Sequence, residues 1–275
     1  MPFLFVVLYG LLSGFFDVLP VSSFAHQTML QNIFGIDDSL HLYMFLIHLA
    51  SLGAIVFSSM PSITALMREQ RFATLPRRRA QGERKFTYEL RFVKTAVVAA
   101  AISTVIILII GKKQLEHLWL VGILCILNGV IVLVPEYLPY GNKTAKHMNR
   151  IDSVIFGVIG SLSVFPGISR FAVMQSYASL RGVDRSRACN WALLAMIPVL
   201  AVMTLFDLVG MFTAGIGVNS FLVVIFYISG AVLSFLGTFG GVTLLRFLSA
   251  KVGFAGFGYY SIGAGLLSFF LYLTV

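Results

Sequence analysis

The sequence predicts an all-α polytopic membrane protein, with six transmembrane helices and two opposed re-entrant helix pairs in an inverted repeat. Three observations carry that prediction. Of 275 residues, 58% are hydrophobic and only 11% are charged, whereas soluble domains run near about a quarter charged. Six apolar runs approach or exceed the roughly 18–20 residues that a helix needs to cross a bilayer. Two further apolar regions are too short to cross, and a cluster of polar groups interrupts each. The runs are continuous rather than alternating, which excludes a β-barrel. In lipid, helices are then the way to satisfy every backbone N–H and C=O.

The full-length spans read as 42–60, 93–110, 118–135, 188–210, 221–245 and 254–274. The first short region begins with Phe3–Phe16. It is broken by "FFDVLPVSSFAH", Phe15 to His26, and resumes as a second short run. Ser153–Phe165 and Phe171–Leu180 repeat the pattern around "SVFPGISRFA", Ser163 to Ala172. Apolar runs of about 10–14 residues are more often re-entrant or interfacial than spanning. Irregular backbone at membrane depth is tolerated only against protein or a watery cavity. The polar tips are therefore expected inside the bundle. The two breaks, "DVLPVSS" at 17–23 and "SVFPGIS" at 163–169, share Val18/Val164, Pro20/Pro166 and Ser23/Ser169. We read one integral membrane domain over 1–275, with repeat 1 about 1–110 and repeat 2 about 118–275.

Charge sets the expected orientation. From Arg68 to Lys94, nine Lys/Arg stand against three acids. By the positive-inside rule this segment, with a basic loop about 67–91, is cytoplasmic. Lys143, Lys146, Arg150, Arg181, Arg185, Arg187, Arg246 and Lys251 fall on the same side if the second region re-enters, and Lys112 and Lys113 fall outside. The first pair then enters from outside and the second from the cytoplasm, with both termini out. Opposed units of this kind place a site at their interface near the midplane. The net charge of +9 thus reads as orientation bias rather than nucleic-acid binding. Cys125 and Cys189 have no metal-ligand spacing and read as reduced packing residues. With no basic residue before its first apolar run, the N-terminal segment reads as part of the fold rather than a secretory signal.

A charge at bilayer depth is expensive and marks a functional site by default. Asp17, His26 and Arg170 qualify, with Ser13, Ser22, Ser23 and Ser169 around them. The guanidinium fork of Arg170 matches phosphate oxygens. Gly167 allows a tight turn before it, and a helix starting near Phe171 would put Ser169 and Arg170 at an anion-binding N-terminus. The bland alternative is an Arg170–Asp17 salt bridge that only holds the tips together. Asp17 follows Ser13 by four residues, so in a helix they share a face. His26 follows Ser23 by three, and a His beside a Ser suggests an activated nucleophile. Ser22 reads as a helix cap, and His41, His48, His117 and His147 as interfacial or packing residues.

At these motifs the chain resembles the undecaprenyl-diphosphate phosphatase family. "SGFFDVLPVSSFAH" is similar to the family's E-G-x-x-E-x-L-P-V-S-S-T-G-H, and "PGISRFAVM" to P-G-x-S-R-S-G-x-T. The resemblance covers essentially the whole chain. It implies removal of one phosphate from a C55 polyprenyl diphosphate, recycling the lipid carrier for cell-wall precursors. It further implies a divalent cation, Mg²⁺ or Ca²⁺, and a site open to the outer face of the bacterial inner membrane. Residue by residue, it implies that Asp17 serves catalysis and the metal. Ser23 and His26 are nucleophile and acid or base, and Gly167, Ser169 and Arg170 bind phosphate. Ser13, Phe24, Ala25, Phe171, Ala172 and Met174 depart from the motifs, removing one acid and three hydroxyls. A polyprenyl-phosphate flippase and a catalytically degenerate binder are the alternatives. The expected partners are the lipid and the bilayer, with a homodimer compatible and nucleic acid excluded.

Overall fold

A computed structural model describes residues 3–36, 41–74, 87–110, 117–214 and 221–274. The described residues form ten α-helices and two short 3-10 turns. In order they are α1 (Phe3–Val18), α2 (Ser23–Phe34), α3 (His41–Thr74), α4 (Thr87–Ile110) and α5 (Leu118–Glu136). Then come α6 (Arg150–Gly160), α7 (Arg170–Leu180), α8 (Arg185–Ala214), α9 (Phe221–Lys251) and α10 (Ala255–Thr274). Among the described residues there is no β-strand, only an isolated bridge between Lys143 and Val183.

Six helices, α3, α4, α5, α8, α9 and α10, are long and apolar enough to cross a membrane. This is an integral membrane protein. Its outward face is correspondingly apolar, with Ile109, Ile110, Phe212, Phe221 and Leu273 exposed. Five of the six predicted spans fall within these helices, and the sixth, 254–274, begins one residue before α10; α3, α4, α8 and α9 run several residues further than predicted. At about 1.5 Å per residue, the 34 residues of α3 outreach a hydrocarbon core of about 30 Å. The basic loop expected at about 67–91 is therefore helical at both ends, through Thr74 and from Thr87. Its stretch "ITALMREQR" is rich in strong helix formers, which continue the helix once the apolar signal has faded. Residues 75–86, with five of the nine basic residues, and the pair Lys112 and Lys113 lie outside the described residues.

The two interrupted regions are helix–break–helix pairs. α1 has 16 residues and α2 has 12; α6 and α7 have 11 each. None reaches the roughly 20 residues of a span. Pro20 and Pro166 sit in the breaks, where a missing N–H costs the least. Ser22 caps α2 by accepting the Ala25 amide at 3.3 Å, and Ser169 caps α7 by accepting the Ala172 amide at 3.3 Å.

Close helix packing brings the breaks together. α5 pairs with α10 and α1 with α9. A Cβ at Gly129 would stand 2.6 Å from the Gly258 carbonyl, and one at Gly10 would stand 2.4 Å from that of Gly230. Small residues at such crossings let backbones touch where no water drives association. The largest apolar cluster packs the tip residues Val18, Leu19, Val21 and Ile168 against Phe171 and Met174 of α7 and Trp191 and Met196 of α8.

Candidate functional site

The two breaks meet and complete one another. The Gly167 amide donates to Ser22 Oγ at 2.9 Å, and Ser169 Oγ donates to the Leu19 carbonyl at 2.8 Å. Gly167 adopts a φ of +116°, a conformation open to glycine. A Cβ there would also lie 2.4 Å from that of Leu124. Asn128, from the middle of α5, joins both tips. It accepts the Ser169 amide at 2.8 Å and donates to the Pro20 carbonyl at 3.1 Å and to Ser261 Oγ at 3.0 Å. The Leu19 and Pro20 carbonyls and the Gly167 and Ser169 amides, freed by the breaks, are thus paired within the protein, as burial demands.

At this joint three predicted residues converge. Asp17 ends α1, Ser23 opens α2 and Arg170 opens α7, and all are buried. Ser23 Oγ donates to Asp17 Oδ1 at 2.9 Å, and an Arg170 NH2 group reaches the same oxygen at 3.1 Å. The salt bridge weighed from sequence therefore exists. It leaves Asp17 Oδ2 and Arg170 NH1 buried with no partner, and unpaired buried groups of this kind cost about 1–3 kcal/mol or more each. A pair that only held the tips would have those atoms satisfied. Two unpartnered groups of opposite charge in one joint suit a ligand that carries both acceptors and positive charge.

His26 sits in the same tip with its ring turned elsewhere. Nδ1 donates to the Ser22 carbonyl at 2.6 Å, leaving Nε2 to accept from Tyr260 Oη at 2.8 Å. The ring also stacks on Tyr260. Ser23 and His26 are thus neighbours in the tip, each hydrogen-bonded to a different group. Ser13 accepts from Gln27 Nε2 at 2.9 Å, while Gln27 Oε1 is buried and unpartnered. The departures in the second motif are packing groups: Phe171 and Met174 lie fully inside the apolar core, and Phe171 meets the ring of Phe254.

The oxygens present fit a divalent cation of a particular kind. No cluster of three His, Cys, Asp or Glu occurs among the described residues. Asp17 Oδ2 and Gln27 Oε1 are hard acceptors without donors. Magnesium is commonly held by one or two carboxylates plus substrate phosphates and water, and this donor set fits that pattern.

Four residues of the centre escaped the sequence reading: Asn128, Gln27, Tyr260 and His48. Asn128 carried a signal, as a lone carboxamide in the run "LWLVGILCILNGVIVLVPE". His48 was expected at an interface or in packing. It is buried in α3, and its Nδ1 is hydrogen-bonded to Asp207 Oδ2 of α8 at 2.5 Å. Each alone reads as an oddity in an apolar helix.

Fold and site together define an integral membrane protein with a buried, charged centre suited to an anion, built where two broken helix pairs meet. The chain belongs to the family described as bacitracin resistance protein BacA, whose model matches residues 6–267. It is 26% identical to an undecaprenyl-diphosphatase of Alkaliphilus metalliredigens over 265 residues, covering 94% of each chain. It is 25% identical to one of Thermosipho africanus over 272 residues, covering 96% of this chain and 98% of that one. A Methanococcus vannielii protein of the same description is 26% identical over 267 residues, again covering 96% and 98%.

Proposed function

We propose that the protein hydrolyses undecaprenyl diphosphate to the monophosphate and phosphate, recycling the lipid carrier of cell-wall synthesis and so opposing bacitracin. The observation that carries this is the buried triad at the joint. A serine hydroxyl donates to a carboxylate that an arginine also holds, and both charged groups keep a free atom for ligand. Family membership and the names of the relatives agree with it.

The chain's own residues supply most of the chemistry. Arg170 and the first turn of α7 bind the terminal phosphate, combining the guanidinium fork with helix-end amides. Ser169 holds that turn to the first tip, and Gly167 lets the backbone approach. Ser23 attacks phosphorus, and its proton has a path to Asp17 Oδ1 along an existing hydrogen bond. His26, bonded to the Ser22 carbonyl and to Tyr260, fixes the start of α2. A divalent cation held by Asp17 and Gln27, with the substrate's own oxygens, would neutralise the diphosphate charge. Excluding water from the joint strengthens each of these interactions.

The two broken pairs are read as re-entrant, entering from opposite faces as an inverted repeat, with the basic end of α3 cytoplasmic and the site open to the outer face of the inner membrane. Support comes from the shortness of α1, α2, α6 and α7, the contact of the two tips and the basic bias. Phosphate release from C55 diphosphate by the purified chain, with and without Mg²⁺ or Ca²⁺, tests the function. Metal-dependent release that Arg170→Ala abolishes is expected. Lipid binding without release overturns it in favour of a carrier or binder.

A further inference from the structure

The His48–Asp207 pair lies outside both sequence motifs, yet it borders the same centre. The His48 side chain is 2% exposed and that of Asp207 is 15% exposed. Asp207 Oδ2 lies 2.5 Å from Nδ1, and His48 Nε2 is buried with no hydrogen-bond partner. The charged groups facing the ring are Asp207 from α8, Asp17 from α1 and Arg170 from α7, each near enough to act on it electrostatically. From α2 the ring of Phe24 meets it edge-on at 6.0 Å between centroids. Phe24 directly follows Ser23 in the chain, so this contact ties the ring to the turn of α2 that carries the residue assigned to attack.

A carboxylate at Nδ1 has a defined effect on histidine. It holds the proton on Nδ1, orients the ring, stabilises the imidazolium and leaves Nε2 as the basic atom. The other histidine of the centre, His26, has both ring nitrogens engaged. His48 has its basic nitrogen free.

We propose that His48, oriented by Asp207, is the proton carrier for water in the phosphate site. This rests on the phosphatase reading above. In the first step Ser23 Oγ bonds to the terminal phosphorus, and the bond from that phosphorus to the bridging oxygen breaks. The electron pair leaves with the lipid monophosphate, and the serine proton passes to Asp17. In the second step a water oxygen bonds to phosphorus and the bond from phosphorus to Ser23 Oγ breaks. His48 Nε2 takes the proton from water, and Ser23 recovers its own from Asp17. The proton on His48 then leaves with phosphate. The sum is diphosphate plus water giving monophosphate plus phosphate.

The test uses the full chain in detergent and C55 diphosphate labelled in its terminal phosphate. His48→Gln should lower kcat by about 100-fold or more with KM within about threefold. It should also hold acid-stable label covalently on Ser23, which a packing role would not produce. Asp207→Asn keeps the shape of the pair and should lower kcat by about tenfold, with a smaller retained label. Wild-type turnover by either variant overturns the proposal. So does a slow variant that binds lipid yet traps no label. A wild-type chain that binds the lipid and releases no phosphate sinks the phosphatase reading itself, and this role with it.

Discussion

Asn128 accepts the backbone amide of Ser169 at 2.8 Å. That contact sets the N-cap of α7, and with it the position of Arg170. The same carboxamide donates to the Pro20 carbonyl, so one side chain fixes both tips. Replacing it with the near-isosteric Leu strands a buried N–H and a buried C=O, at about 1–3 kcal/mol each. Asn128→Leu should therefore lower the thermal midpoint in detergent clearly. Phosphate release should fall by about tenfold or more, since a displaced Arg170 binds a misplaced phosphate. Asn128→Asp keeps the acceptor and should retain more activity than Leu; calorimetry and turnover on the same samples check both.

Arg170 and Asp17 form a buried ion pair. Removing one partner of such a pair costs about 3–5 kcal/mol, whereas replacing both with neutral groups is often tolerated. Arg170→Met should destabilise strongly, and Asp17→Asn with Arg170→Met should recover most of that loss while staying inactive. A double-mutant cycle on unfolding midpoints measures the coupling.

Ser13 occupies a place on α1 one turn before Asp17, with Gln27 as its partner. A carboxylate there would add a hard ligand beside Asp17 Oδ2. Ser13→Glu is expected to tighten the divalent-metal dependence of phosphate release, lowering the half-maximal Mg²⁺ concentration by about tenfold. Chelation should abolish release by the wild-type chain, and added Mg²⁺ or Ca²⁺ should restore it.

Asp152, in the first turn of α6, ties that helix to the end of α7. Burial pushes its carboxyl up, but the Asn149 amide, Tyr177 and Arg181 outweigh burial and hold it below the ordinary value of 3.8. A carboxyl lowered by folding stabilises the fold above that ordinary value, and the contribution is lost as pH falls through the lowered one. Asp152→Asn should thus be less stable than wild type at neutral pH. The gap should close as the pH is taken below about 3.8; paired thermal scans across pH follow it.

Much of this architecture was legible because its signals are local. Hydropathy located all six spanning helices, and "LPVSS" and "PGISR" announced both breaks. Ser23, Asp17 and Arg170 stood out as polar groups in apolar surroundings and do converge. The ends of α3 and α4 were not legible, since a helix continues past lipid wherever its residues favour it. Nor were the partners. Ser169 lies 41 positions from Asn128, Asp207 lies 159 from His48, and Tyr260 lies 234 from His26. Periodicity carries no information at such separations.

The reciprocal bonds between the tips bear on how the chain is made. Ser22 receives its donor from a residue 145 positions later, and Leu19 receives its own from one 150 positions later. During synthesis the first tip therefore waits, with polar backbone unmatched, until most of the bundle has left the ribosome. The early helices must be sheltered in that interval by the insertion machinery or by water. A chain stopped before residue 167 would present quality-control proteases with an unfinished membrane protein rather than a half-active one.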